Sequence, residues 1–113
     1  MMPVDEEEYT VEHPDQKTTI LKGTLRLPSP TAYDPLLEEV KQGVETSSEA
    51  YTIDITELKF LNSSGLTALA RIFLLARQKE KDINIVCSND IPWQGKSIGS
   101  LQKLWTGISL VMK

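Results

Sequence analysis

The chain has 113 residues, which is long enough for one compact domain and too short for two. Its 16 acidic and 12 basic residues give a net charge of −4, which argues against nucleic acid and anionic membrane surfaces as partners. One cysteine, Cys87, and one histidine, His13, exclude an internal disulfide and a four-ligand zinc site. The longest unbroken apolar run, residues 72–76, is too short to span a membrane, and the acidic N-terminus is unlike a signal peptide, so we expect a cytoplasmic protein.

The sequence of the N-terminal region predicts a disordered acidic tail followed by a β-hairpin. Residues 1–8 contain four consecutive acidic side chains and offer little to bury, so the folded domain is expected to span residues 9–113. Leu21, Leu25 and Leu27 alternate along a strand predicted over residues 18–27. A short partner strand is predicted at Tyr9 and Val11, with the turn at residues 13–15.

A helix and a central strand follow the prolines that end the hairpin. The helix begins at Thr31 or at Asp34, and residue type does not choose between these two caps. Its predicted buried stripe consists of Leu36, Leu37, Val40 and Val44. Residues 51–55 are rich in β-branched side chains and predict a short central strand.

The C-terminal half continues the alternation of helices and strands. A helix is predicted from the turn at residues 62–65 to about Lys79, with Leu66, Leu69, Ala70 and Phe73 facing inward. Strands are predicted at residues 83–87 and 108–112, separated by a loop over residues 88–95 and a helix over residues 96–105. Strands joined through helices require crossovers, so this order predicts an α/β fold with a mixed, mainly parallel sheet of about five strands.

No catalytic constellation is found in the sequence. His13 is remote from every serine of interest, which argues against a histidine-assisted nucleophile. The segment Gly95-Lys96-Ser97 lacks the preceding glycine of a phosphate-binding loop, because Asp90 stands in its place. Cys87 ends an apolar strand and is expected to pack as a small hydrophobic residue. We therefore expect no enzyme activity, no metal and no cofactor.

The turn Asn62-Ser63-Ser64-Gly65 is the strongest candidate site. Its position at the start of a helix places Ser63 or Ser64 at or beside the N-cap. A helix N-terminus tolerates a phosphoryl group, and that group adds nearly two negative charges to the surrounding surface. The serine is therefore either a simple helix cap or a phosphorylation switch.

The outer side of the same helix is a candidate contact surface. Thr67, Arg71, Leu74 and Gln78 recur at about one-turn spacing on the side opposite the predicted core. Leu74 is apolar although it lies on a face predicted to be exposed to solvent. It is either an ordinary exposed leucine or an anchor residue for a partner contact.

Residues 53–66, Ile-Asp-Ile-Thr-Glu-Leu-Lys-Phe-Leu-Asn-Ser-Ser-Gly-Leu, resemble the signature of the STAS domain, the anti-sigma-factor antagonist family. With the order of strands and helices included, the resemblance extends over residues 9–113. It implies that Ser64 begins the helix and that Ser63 is phosphorylated by a GHKL-type serine kinase, which is also the sequestered anti-sigma partner. It also implies dephosphorylation by a PP2C-type phosphatase. The implied partner face consists of Asn62, Ser63, Ser64, Gly65, Thr67, Arg71 and Leu74. Asp54, on the strand before the turn, is a candidate polar group near it.

The sequence departs from that signature at one position of the turn. Asn62 stands where the best-known members carry aspartate, which retains an acceptor oxygen but removes the charge that a kinase would recognise. Asn-Ser-Ser-Gly together with Pro92-Trp93-Gln94 is similar to a less-characterised branch of the family. Trp93 is expected to pack over the sheet edge because of its large apolar area. A constitutive scaffold module and a small-ligand sensor binding nucleotide or lipid at the sheet edge remain the alternatives to a phosphorylation switch.

Overall fold

The computed structural model describes residues 8–113 and confirms the α/β fold with a mixed sheet of five strands. The strands lie in the order β1-β2-β3-β4-β5, and only β1 and β2 are antiparallel. The strands are β1 (Tyr9–Asp15), β2 (Thr18–Leu25), β3 (Tyr51–Leu61), β4 (Ile83–Cys87) and β5 (Ile108–Met112), and the α-helices are α1 (Asp34–Thr46), α2 (Ser63–Lys79) and α3 (Pro92–Gln102).

The three α-helices cover one face of the sheet. Parallel strands that follow one another in sequence are also neighbours in the sheet, so right-handed crossovers place their helices on the same side. Along β4, Ile83, Ile85 and Cys87 are buried on this side, whereas Asn84 and Val86 on the other face are only half-buried. The core therefore lies between the sheet and its single helix layer.

The hairpin turn lies later in the chain than the sequence predicted. Strand β1 continues through His13 and Pro14 with a register shift between Glu12 and Asp15, so the prediction of a turn at residues 13–15 is wrong. The turn is formed by residues 16 and 17, and Asp15 Oδ1 accepts a hydrogen bond from the Lys17 amide at 2.7 Å. Proline is tolerated in β1 because this strand is at the edge of the sheet.

The helical segment before α1 begins earlier than either predicted cap, because its own cap, Ser29, lies two residues before Thr31. Ser29 caps a 3-10 helix over residues 30–33, with its hydroxyl accepting from the Ala32 amide at 3.3 Å. Helix α1 follows directly, and Asp34 is its first residue instead of its cap. The predicted residues Leu37, Val40 and Val44 are buried, and Leu36 is half-buried.

Strand β3 has 11 residues, whereas the sequence predicted a strand of five. It pairs with β2 through two register shifts, so β3 carries extra residues near Thr56 and Lys59. At the first irregularity, Asp54 Oδ1 accepts hydrogen bonds from the amide and the hydroxyl of Thr56 at 2.9 and 2.7 Å. The alternation of apolar residues at positions 51, 53 and 55 is broken by Glu57, which explains why the remainder of the strand was not predicted.

Helix α2 ends at Lys79 as predicted, but its buried face is rotated. Ala68, Ile72 and Ala76 are buried together with the predicted Leu69 and Phe73. The predicted Leu66 and Ala70 are only half-buried. The rotation arises because α2 packs against α1 as well as against the sheet, so its apolar side is broad.

Helix α3 begins at Pro92, four residues before the predicted start, because proline is favourable at the first helical position. It ends at Gln102 and excludes Leu104 and Trp105, which the prediction had included. Strands β4 and β5 have the predicted bounds. The predicted acidic tail falls largely on residues 1–7, which lie outside the described residues.

Candidate functional site: the turn before helix α2

The cap of α2 is Asn62, not one of the two serines. Its Oδ1 accepts a hydrogen bond from the Gly65 amide at 3.0 Å, and its backbone carbonyl accepts from the Leu66 amide at 3.1 Å. Asparagine is among the favoured N-cap residues because its short side chain reaches the third amide of the helix. Ser63 is consequently the first helical residue, and the expectation that Ser64 begins the helix is wrong.

Asn62 also joins the turn to the segment between β2 and α1. Its Nδ2 donates to the Leu27 carbonyl at 2.9 Å, and its Oδ1 accepts from the Tyr33 hydroxyl at 2.7 Å. The Tyr33 hydroxyl in turn accepts from the Leu27 amide at 3.3 Å. Burial raises the pKa of Tyr33, so its hydroxyl stays protonated and remains a donor. The amide group of Asn62 thus supplies one donor and one shared acceptor, which an aspartate carboxylate cannot do.

Ser63 is exposed at the end of this rigid turn. Its hydroxyl has no hydrogen-bond partner among residues 8–113, since the capping role belongs to Asn62. The amides of Gly65 and Leu66 are bonded to Asn62, whereas those of Ser63 and Ser64 precede the first helical hydrogen bond. No acidic residue lies in the first turn of α2. The surroundings of the Ser63 hydroxyl therefore favour a negative group.

Four residues continue from Ser63 along the outer side of α2. Thr67, Arg71, Leu74 and Gln78 are all exposed, as predicted, and Leu74 is 40% exposed. Ser63 precedes Thr67 by four residues and therefore lies on the same side of the helix. We call Ser63, Thr67, Arg71 and Leu74 the outer stripe of α2.

The outer stripe borders a groove of about 450 Å³ between α1 and α2. The floor of the groove is apolar, and its rim carries the charged side chains of Asp34, Lys41 and Arg71. Neither Lys41 nor Arg71 forms an ion pair with another residue in the range 8–113. Its lining residues are Pro30, Asp34, Leu37, Lys41, Ala68, Arg71, Ile72, Leu74, Leu75 and Gln78.

Not every predicted contact residue is presented at the surface. Gly65 is buried, and a Cβ there would lie 2.2 Å from the Leu61 side chain, so this residue serves the packing of the turn. Asn62 and Ser64 are half-buried, and the side chain of Asn62 is engaged internally. Asp54, which the sequence suggested as a polar group near the turn, lies eight residues before Asn62 along an extended strand and bonds Thr56. The accessible candidates are therefore Ser63, Thr67, Arg71 and Leu74.

The segment Pro92-Trp93-Gln94 has a structural role that sequence reasoning only partly anticipated. Strand β4 pairs with β3 only as far as Asp54, and α3 supplies partners for the carbonyls beyond that point. Trp93 Nε1 donates to the Lys59 carbonyl at 2.8 Å, in keeping with the expectation that Trp93 packs over the sheet edge. Gln94 is fully buried, and its Nε2 donates to the carbonyls of Ile55 and Leu58 at 2.7 and 2.8 Å. The sequence feature that could have indicated these hydrogen bonds is a glutamine, Gln94, on the apolar side of a helix.

In the part of the chain that the structure describes, the remaining ionisable groups form no second site. His13 bonds the Thr19 hydroxyl at 3.1 Å in the hairpin, beside the start of β2 and remote from the α2 turn. Among residues 8–113, no group of three histidine, cysteine or acidic side chains is arranged to hold a metal ion.

Cys87 is fully buried at the end of β4, and its burial raises the pKa of its thiol to about 11. Because the thiolate is the reactive form, we expect Ellman's reagent at pH 8 to react about a hundredfold more slowly with the native chain than with the urea-unfolded chain. Equal rates for the native and unfolded chains would show that the thiol is accessible.

Comparison with known proteins leaves the resemblance in the α2 turn without independent support. No protein-family model matches the sequence, and no curated protein matches it at a significant level. Within residues 8–113, no helix has the length and apolar character that crossing a membrane requires.

Proposed function

We propose that this chain is a non-catalytic STAS-like binding switch whose partner, an anti-sigma factor or GHKL-type serine kinase, is released by phosphorylation of Ser63. The proposal places the protein in the cytoplasm, where the kinase has access to ATP and magnesium. It also assigns removal of the phosphoryl group to a PP2C-type phosphatase. The motif resemblance suggests this class, and the geometry of the α2 turn supports it.

The proposal rests on the Ser63 hydroxyl, which is exposed and forms no hydrogen bond within residues 8–113. Because Asn62 performs the capping, a phosphoryl group on Ser63 breaks no hydrogen bond within residues 8–113. Its oxygens can accept from the amides of Ser63 and Ser64 at the positive end of α2. Phosphorylation is therefore compatible with the fold, and it affects the binding of a partner that contacts the outer stripe.

The release mechanism follows from the position of Ser63 on the outer stripe. Arg71 lies eight residues further along α2, which corresponds to about 12 Å. A partner that contacts Leu74 and pairs an acidic group with Arg71 also approaches the α2 turn. The added charge of nearly −2 then repels acidic groups of that partner and must be desolvated on docking.

The proposal predicts that Ser63→Glu weakens partner binding at least tenfold, which corresponds to about 1.4 kcal/mol. Binding is measured by isothermal titration calorimetry with each GHKL-type serine kinase encoded in the same genome. Ser63→Ala is expected to bind like the unmodified chain. Ser48→Glu is the matched control, because Ser48 is an exposed serine in the loop before β3.

Two results would contradict the switch. If Ser63→Glu binds the kinase as tightly as Ser48→Glu does, the protein is a constitutive interaction module and Ser63 is merely the first residue of a helix. If no kinase binds, and incubation with these kinases and magnesium-ATP adds no mass of about 80 Da to the chain, both the partner class and the modification are wrong.

A further inference from the structure

The two edges of the sheet differ in how they are protected from pairing with another strand. The β1 edge contains Pro14, a register shift between Glu12 and Asp15, and charged side chains, all of which discourage pairing. The β5 edge, Ile-Ser-Leu-Val-Met over residues 108–112, has no proline and no charge. Val111 and Met112 are 41% and 37% exposed there.

The backbone of β5 presents four hydrogen-bonding groups away from β4. Lys113 bonds towards β4 and its following loop, with its amide donating to the Cys87 carbonyl and its carbonyl accepting from the Asn89 amide. Residues in a parallel strand alternate in direction, so Leu110 and Met112 direct their N–H and C=O groups outward.

Ile108, which has the same orientation, is already satisfied inside the chain. Its amide donates to the Trp105 carbonyl at 3.2 Å, and its carbonyl accepts from Gln102 Nε2 at 3.1 Å. Leu110 and Met112 have no equivalent partner among residues 8–113. The open part of the edge is therefore two residues long.

We propose that two copies of this chain pair through antiparallel β5 strands about a two-fold axis at Val111, which joins their sheets into one sheet of ten strands. In this register, Leu110 of each copy exchanges two hydrogen bonds with Met112 of the other. The four bonds use all the outward groups of both residues. The edge is thus complementary to itself, and this is why a second copy is the occupant.

The side chains around the β5 edge are compatible with this pairing. Val111 meets Val111 of the second copy in a non-hydrogen-bonded pair, where side chains are closest. On the helix side, a Cβ added to Gly95 would lie 3.9 Å from the Met112 methyl group, and one added to Gly99 would meet nothing within 4 Å. These two glycines on one side of α3 leave room for the second copy. The uncharged edge also lets two chains of net charge −4 approach without like charges in contact.

Analytical ultracentrifugation of the full chain tests the dimer. We expect a concentration-dependent mass that rises from 12.7 kDa to twice that value. Val111→Glu is expected to weaken the dimer at least tenfold, because it places two carboxylates opposite each other at the axis. Thr10→Glu, which adds the same charge to an exposed residue of the β1 edge, is expected to leave the dimer unchanged.

Charge reversal supplies a second measurement. Val111→Lys alone is expected to be monomeric, and an equimolar mixture of Val111→Lys with Val111→Glu is expected to form a heterodimer. If Val111→Glu fails to fold, Met112→Pro replaces it in the test, because proline lacks the N–H that residue 112 directs outward. A wild-type mass of 12.7 kDa at every concentration overturns the proposal, as does dimerisation of Val111→Glu or Met112→Pro equal to that of Thr10→Glu.

The dimer and the proposed switch are tested separately. Strand β5 and α3 lie on one side of α2, whereas the groove and the outer stripe lie towards α1. Loss of the dimer in Val111→Glu therefore leaves kinase binding intact, and Ser63→Glu leaves the dimer intact.

Discussion

Replacing Gln94 with leucine is expected to lower the free energy of unfolding by about 3–5 kcal/mol, although the two side chains are similar in size. The Gln94 side chain is fully buried and makes three hydrogen bonds, two as a donor to β3 carbonyls and one as an acceptor from the Ser88 amide at 2.8 Å. Leucine satisfies none of these backbone groups, and each buried group left without a partner costs about 1–3 kcal/mol.

Urea denaturation followed by circular dichroism measures this loss. The same substitution at Gln42 is the matched control, because Gln42 is exposed on α1 and its side chain bonds only that of Glu38, at 3.1 Å. We expect Gln42→Leu to change the stability by about 0.5 kcal/mol or less. Equal effects at the two positions would show that Gln94 does not hold the bulged end of β3. For a domain of this size the expected loss is a large fraction of the total stability, which is about 5–15 kcal/mol.

Replacing Asn62 with alanine is expected to lower the free energy of unfolding by about 2–3 kcal/mol. Alanine removes the helix cap at Gly65 and leaves the Leu27 carbonyl and the Tyr33 hydroxyl without their partner. Asn62→Asp is expected to cost less, about 1 kcal/mol, because a carboxylate still accepts from Gly65 and Tyr33. It cannot donate to Leu27, and it places a negative oxygen beside that carbonyl.

Thermal unfolding ranks these variants, with a shift in Tm of about 4 °C for each kcal/mol in a domain of this length. Asn89→Ala is the control, because Asn89 is an exposed asparagine in the loop after β4. From highest to lowest Tm, the expected order is Asn89→Ala, then Asn62→Asp, then Asn62→Ala. An Asn62→Asp variant as stable as the control would mean that the bond to Leu27 contributes nothing. The departure from the Asp-Ser-Ser-Gly signature would then have no structural reason.

The hydrogen bonds of Asn62 show how much of the site residue types alone can predict. The small polar residues after an apolar segment correctly located the start of α2, since such residues favour helix caps. They did not identify the cap, because asparagine and serine are both suitable and the choice depends on Leu27 and Tyr33. Leu27 and Tyr33 lie 35 and 29 positions before Asn62 in the chain, and they reach the turn only when β2 and α1 have packed beside it.

The rotated face of α2 and the early start of α3 were also not predicted, because both depend on contacts with other elements of the fold. Periodicity identifies an apolar stripe, but the width of that stripe is decided by how many neighbours a helix contacts, and α2 contacts both α1 and the sheet. Pro92 and Gln94 were assigned to a loop because a loop composition surrounds them. They are helical because the buried carbonyls of Ile55 and Leu58 on β3 lie beyond the pairing with β4 and accept hydrogen bonds from Gln94 on α3 instead.

Local patterns along the chain determined the order of strands and helices, the mixed five-strand sheet and the exposed side of α2, because these follow from alternation of apolar residues and from the handedness of crossovers. Tertiary structure alone decided that Asn62 caps α2 and that, among residues 8–113, the Ser63 hydroxyl has no partner and the β5 edge is unpaired. Hydrogen-bond partners are chosen by proximity in space, and residues distant in sequence become neighbours only when the sheet and its helix layer have assembled.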